Sequence, residues 1–266
     1  MKKLFFLAVT AIIASGAMAQ STKVMKIWDG GKVAVQKDIR ATDSITFAVS
    51  DDKLAYVSDY MTLTGRGDVL TFDSLISGVF TVGDVVRIIS PFDSIQAFTD
   101  TIIGIEAMHK TYNSTSEFPD TIHAGGFLFH SGIKEKIKRS ARGTAIVAVE
   151  NSPYEKAKTL ICNAYKYTKD EGGRHTPFFL SYRPILYLPF PTSSIELFQV
   201  EVTDLGLVNG EAAEMVLPGD SVENMVIESY QTVNNIGFGF VPYIGQTLYL
   251  REGGVTIAKL TVVGWK

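Results

Sequence analysis

Cysteine is nearly missing from this chain. Cys162 is its only one in 266 residues. A single thiol cannot close an internal disulfide, and its isolation rules out the cysteine clusters that hold structural zinc. It lies in the apolar run Leu160-Ile161-Cys162, where a buried structural thiol is expected. Histidine is scarce as well, and His109, His123, His130 and His175 fall at no metal-ligand spacing, so no metal is expected. Charge of one sign is not in surplus: the formal net charge is −3, which gives no global basic field for a nucleic acid. No Gly-x-x-x-x-Gly-Lys-Ser/Thr run is present to cradle phosphates. Gly30-Gly31-Lys32 is followed by Val33, which cannot ligate magnesium. A Gly-x-Ser-x-Gly nucleophile elbow is missing too, and spacing alone argues for no catalytic carboxylate pair. These absences set the first expectations: no enzyme activity, no cofactor and no nucleotide.

Long apolar runs are also lacking, except at the start. Lys2-Lys3, an apolar middle over residues 4–13 and the small residues Ala17-Met18-Ala19 make a secretory signal with cleavage expected after Ala19. The apolar middle is too short to span a membrane as a helix. No cysteine follows to carry a lipid. The expected location is the periplasm, the cell surface or the exterior, with no membrane span.

Past the signal, residues 20–53 read as a β-hairpin leader and a linker. Two short strands flank Asp29-Gly30-Gly31, with Trp28 and Phe47 as apolar anchors and Asp51-Asp52-Lys53 as the linker. Residues 54–150 are strand-rich, with Val85-Val86-Arg87-Ile88-Ile89 and Thr144-Ala145-Ile146-Val147-Ala148-Val149 bounded by glycine or polar turns. One short helical turn is expected within residues 133–142, with Ile133 and Ile137 on one face and a solvated cluster of Lys134, Lys136, Lys138, Arg139 and Arg142 around them. In residues 151–266, Ala258, Leu260 and Val262 alternate with Lys259 and Thr261, a half-buried strand pattern. Leu217-Pro218-Gly219-Asp220 reads as a turn.

The stretch that organises the chain is Lys169-Asp170-Glu171-Gly172-Gly173-Arg174-His175-Thr176-Pro177-Phe178-Phe179, followed by Leu180-Ser181-Tyr182-Arg183-Pro184. It predicts a glycine turn of a hairpin and then an aromatic strand, held to an edge or an irregular path by Pro177 and Pro184. This run resembles the third domain of elongation factor Tu. Glu214-Met215-Val216-Leu217-Pro218-Gly219-Asp220 and Leu250-Arg251-Glu252-Gly253-Gly254-Val255-Thr256-Ile257 resemble further motifs of that domain, in the same order. Thr64-Gly65-Arg66-Gly67 resembles the start of its second domain. The resemblance implies two consecutive closed antiparallel β-barrels of the translation-factor type, an all-β fold, at residues 54–150 and 151–266.

The family binds GTP in a G domain whose motifs this sequence lacks. Its second domain holds the aminoacylated end of tRNA, and here the matching positions have drifted. Asp59, Glu106 and Lys110 remain as a vestige, while His109 stands where the family has arginine. The well-kept turn, with Gly172, Gly173, Arg174, His175, Thr176 and Phe178, lies in the family near the contact with the G domain, which marks it as a candidate partner surface.

Two further signals suit an exported chain. Arg66-Gly67-Asp68 matches an integrin-recognition tripeptide, a short match that chance explains. Asp followed by Ser or Thr and an aliphatic residue recurs, resembling an O-glycosylation signature of exported proteins in one Gram-negative phylum, whose leaders residues 24–47 also resemble. The acceptors would be Ser44, Ser74, Ser94, Thr101, Thr121 and Ser221. The reading is an exported, non-catalytic binding or scaffold protein with an unknown protein or surface partner. The alternative is elongation-factor-like binding of aminoacyl-tRNA, or of a G domain supplied in trans. A binding module implies an exposed apolar patch, tRNA binding a basic groove near Glu106 and Lys110, and an enzyme a pocket with convergent titratable groups.

Overall fold

The structure, a computed structural model, describes residues 23–29, 32–39, 52–137, 142–189, 194–230 and 237–266. The signal segment, Phe47 and Ser44 lie outside them. The chain divides into two compact units, Met1–Ala48 and Val49–Lys266. In the first, β1 (Lys23–Asp29) and β2 (Lys32–Ile39) pair antiparallel, while Gly30 and Gly31, the turn expected from the sequence, lie outside the described residues.

The second unit is almost entirely β. Among the described residues its helical structure is a single 3-10 turn at Thr115–Glu117 and the short helix α1 (Ile133–Ile137), whose Ile133 and Ile137 are both buried. The rest of the basic helical turn expected to residue 142 falls mostly outside the described residues. Lys136 and Arg142 lie near Asp100 and Asp59, each at 3.9 Å.

Its first sheet is built from β3 (Leu54–Leu63), β4 (Gly67–Ser77), β5 (Val85–Ile89), β6 (Phe98–Thr101), β7 (Gly104–Ala107), β8 (Lys110–Tyr112), β9 (Gly125–Phe129) and β10 (Ala145–Ala148). They pair in the order β6-β5-β10-β3-β4-β9-β7-β8. This ladder is open, where the sequence predicts a closed one. The physical reason is a break in one strand. β6 and β7 are halves of a continuous segment, interrupted at Ile102 and Ile103. The Ile102 N–H donates to the Asp84 carbonyl (2.9 Å), whereas the Ile103 N–H donates to the Leu128 carbonyl (2.8 Å). The first half therefore faces β5 and the second faces β9, and the two sides of the ladder meet through the chain itself. The enclosed core is aromatic, with Phe72, Phe80, Phe127 and Phe129 buried among Val86, Ile88, Ile105 and Ile146.

The second sheet comprises β11 (Thr159–Lys166), β12 (Ile185–Pro189), β13 (Ser194–Asp204), β14 (Leu207–Val208), β15 (Glu211–Ala212), β16 (Ser221–Ser229), β17 (Thr247–Glu252) and β18 (Val255–Trp265). Here β11-β18-β17-β12-β13-β16 close on themselves, because β16 also pairs with β11. Closure leaves those six strands without a free edge. Cys162 sits in this core, and burial pushes its thiol up to about 12, so it is a packing residue as the sequence suggests.

Strands β10 and the start of β3 are buried on both faces. Ala55, Val57 and Ile146 point into the first barrel's core, while Leu54, Tyr56, Ala145 and Val147 pack into the cluster of the second. Strand alternation makes this division automatic, since neighbours point to opposite sides. Tyr56 is the main link. Its ring stacks on Phe240 (5.4 Å between centroids), its hydroxyl donates to the Val241 carbonyl, and the Gln246 Nε2 donates to that hydroxyl at 3.2 Å. Tyr56→Phe leaves a buried carbonyl and a buried amide short of a partner, at a cost of about 1–3 kcal/mol. Tyr56→Ala adds a cavity and is expected to cost roughly 3–5 kcal/mol. Denaturant titration should still show one cooperative transition for both barrels; two separated transitions would contradict a shared core.

Candidate functional site

Residues 169–184 do begin with a tight turn, but no aromatic strand follows. The Glu171 carboxylate accepts from the Thr168 N–H (2.8 Å), the Thr168 hydroxyl (2.9 Å) and the Tyr165 hydroxyl (3.0 Å). The backbone donation from Thr168 is the main reason Glu171 is held below the usual carboxylate range. Gly173 is required here, because a Cβ would stand 2.5 Å from the Tyr167 carbonyl. Beyond the turn the chain runs irregularly and makes a single two-residue bridge, Phe178 with Val216, with both hydrogen bonds formed (2.9 and 3.0 Å). Pro177 and Pro184 have no N–H to donate to a ladder, and Ser181 takes a left-handed φ of 63°. These features together stop a strand from forming.

The bridge sorts the predicted partner residues. Phe178 is buried, stacked on Tyr182 at 4.9 Å, so its place as a surface residue is corrected: it is core. Gly172, His175 and Thr176 are exposed, and Gly173 and Arg174 are half-buried. Arg174 reaches across to β17, with Nε 3.3 Å from the Glu252 carboxylate and a second nitrogen donating to the Glu252 carbonyl (3.2 Å). Because Phe178 and Val216 turn inward, residues beside them turn outward. Phe179 is 52% exposed, Met215 42% and Leu217 49%; Leu180, two residues from Phe178 and next to the left-handed Ser181, is 59% exposed outside that alternation. These four apolar side chains are the surface that sequence reasoning missed. For Phe179, Met215 and Leu217 the signal was alternation with Phe178 and Val216, but it needed the pairing of those two to be readable.

Under the turn lies Lys166, only 1% exposed. Its ammonium sits 4.1 Å from the Phe178 ring centroid and has no hydrogen-bond partner among the described residues. Burial holds its pKa below the ordinary lysine value, with nearby Glu252 opposing. The Tyr182 hydroxyl donates to that same Glu252 carboxylate (2.9 Å), and burial followed by this bond raises the Tyr182 pKa.

The residues expected as a vestigial tRNA-end site do not converge. Asp59 is opposite Thr71, Thr71 opposite Gly126, and Gly126 opposite Glu106, which sets Asp59 and Glu106 three strands apart on one row. At ordinary strand spacing that is about 14 Å. Glu106 is ion-paired with Arg66, and Lys110 is exposed on the neighbouring strand β8. The Arg66-Gly67-Asp68 tripeptide is not displayed. The Asp68 carboxylate is 3% exposed and accepts from the Thr62 hydroxyl (2.8 Å) and the Gly132 N–H (2.9 Å). Of the Asp-Ser/Thr sites, Ser94, Thr121 and Ser221 are exposed, while Ser74 and Thr101 are half-buried. Ser74 and His123 line a shallow hollow of about 270 Å³ with Thr115, Phe118 and Asp120, and the Ser74 hydroxyl donates to the Leu75 carbonyl. Among the described residues no three His, Cys, Asp or Glu side chains gather as a metal site, and no helix is long and apolar enough to cross a membrane.

A comparison with protein families matches residues 153–264 to the elongation factor Tu C-terminal domain. The matched segment takes in the second sheet up to the penultimate residue of β18, so the closed barrel and its turn at residues 169–172 carry the resemblance read from the sequence.

The buried Lys166 supplies a pH-dependent test. Its charged form is disfavoured in the folded state, so the folded protein carries the penalty below the folded pKa. The penalty shrinks as pH rises from there toward the ordinary 10.5. An unpartnered buried polar group costs about 1–3 kcal/mol, and a cation–π contact returns roughly 0.5–2 kcal/mol. Lys166→Met is therefore expected to raise neutral-pH stability by about 1 kcal/mol, an advantage that declines in alkaline buffer. A pH-independent loss of stability in denaturant titrations from pH 7 to 10.5 would contradict this account.

Proposed function

We propose that this chain is an exported, non-catalytic binding protein whose two barrels resemble domains two and three of elongation factor Tu. The apolar surface beside the turn at residues 169–172 receives a protein partner. The observation that carries the reading is the outward set Phe179, Leu180, Met215 and Leu217. Apolar side chains grouped this way, rimmed by the exposed His175 and Thr176, are the usual chemistry of a protein-binding surface. The expected signal at residues 1–19 supports meeting that partner outside the cytoplasm. The missing phosphate-cradling run supports a role without GTP hydrolysis. For the first barrel, support for the domain-two resemblance comes from Thr64-Gly65-Arg66-Gly67 lying at the turn between β3 and β4 and from a core enclosed by the strand order described above.

Binding of tRNA is the weaker reading. The retained acidic residues stand on separated strands, and two of the three cations beside them face carboxylates, Arg66 with Glu106 and Arg142 near Asp59, with Lys110 the third. That arrangement leaves little surplus positive charge for a phosphate backbone.

A photo-crosslinking residue placed at His175 in producing cells tests the proposal. One discrete crosslinked protein is expected, and the double variant Phe179→Ser, Leu217→Ser should remove it while the thermal midpoint stays within a few degrees of the parent. A crosslink that persists in the double variant, or none at all from His175, would contradict the assignment of this surface.

A further inference from the structure

The outer face of the closed barrel carries a row of side chains in strict register. Tyr165 on β11 lies opposite Lys259 on β18, Lys259 opposite Tyr249 on β17, Tyr249 opposite Tyr187 on β12, and Tyr187 opposite Glu196 on β13. Residues directly opposite each other in a sheet point to the same face. Their strand neighbours Ala164, Leu248, Leu250, Leu186 and Leu260 are buried, so the row faces outward. Four steps between strands give it a length of about 19 Å.

Two of the three rings are held in place. The Tyr165 hydroxyl donates to Glu171 (3.0 Å) and the Tyr187 hydroxyl to Glu196 (2.7 Å). The Arg251 guanidinium stands 4.6 Å from the Tyr187 ring centroid. Two residues along each strand, a second row, Asn163, Thr261 and Thr247, offers neutral hydrogen-bonding groups. The face is therefore a strip of three tyrosines, two of them anchored, beside amide and hydroxyl groups.

The chemistry narrows the occupant. A strand-adding peptide needs a free sheet edge, and these strands belong to the closed ring. A polyanion needs surplus cations, whereas the two along this row, Lys259 and Arg251, are matched in number by the carboxylates Glu196 and Glu171. An apolar partner needs apolar anchors, and the row ends in charges. An uncharged, polyhydroxylated polymer satisfies all three conditions: sugar C–H faces pack on tyrosine rings, and sugar hydroxyls pair with the polar groups alongside. We propose that the Tyr165–Lys259–Tyr249–Tyr187 row binds a neutral polysaccharide chain lying across the strands.

Native affinity electrophoresis tests this with laminarin, hydroxyethyl cellulose and mannan as neutral probes and polyuridylate as the anionic one. At least one neutral polymer is expected to retard the full chain. Tyr249→Ala and Lys259→Ala should each weaken that retardation at least fivefold, and Tyr249→Phe should keep most of it. Lys259 is exposed, so its variant reads binding even if Tyr249→Ala unfolds. Retardation by no neutral polymer, retardation by polyuridylate alone, or equal retardation of the parent and the Lys259→Ala variant would overturn the proposal.

Discussion

Two strands that water reaches on neither face hold the two barrels of the second unit together. Residues 54–57 of β3 and the whole of β10 send alternate side chains into two different cores. Tyr56 is the largest of those facing the second barrel, and its hydroxyl sits within a buried polar pair with Val241 and Gln246. Satisfied polar groups in such a place fix one docking geometry, because any other leaves them unpaired. Further links follow the same line. Asp93 takes Lys156 at 2.9 Å, Phe92 lies against Phe238, and a Cβ on Gly237 would collide with the Asp93 carboxylate. The face joining the barrels is thus spent on structure, and whatever the protein binds must use the surfaces that remain.

Those surfaces divide by chemistry. The first barrel's row through Asp59 and Glu106 carries its own ion pairs, with Arg142 and Arg66. The end of the second barrel presents apolar side chains, supported from below by the Phe178, Tyr182 and Lys166 stack. An inward lysine at that level is costly, and it is tolerated because an aromatic face and a carboxylate lie close by. The outer wall of the same barrel carries the tyrosine row. A closed ladder serves such surfaces well, since it offers no strand edge for unwanted pairing.

Much of this was legible in the sequence, through parity. The alternation of Ala258, Leu260 and Val262, the glycine turns and the single buried cysteine all follow from local pattern, and the family motifs fixed the second barrel. Three features were not legible. Phe178 and Phe179 are adjacent and identical, and only the bridge to Val216 decides which is core. Lys166 shares parity with Cys162 and Ala164, a clue that points it inward, yet lysine is expected in water. The tyrosine row depends on register across β11, β18, β17 and β12, which no single strand reveals. The break at Ile102 and Ile103, which opens the first ladder, has no signature in a run that reads as ordinary strand.

The central proposal is that these barrels act by binding rather than by translation chemistry. Titration of the chain from Gln20 with aminoacyl-tRNA, at low and at physiological salt, tests it most directly. The account expects no aminoacyl-specific binding at either salt. Salt-dependent binding that requires the aminoacyl group would contradict it and restore the surface around Asp59, Glu106 and Lys110 as a working site.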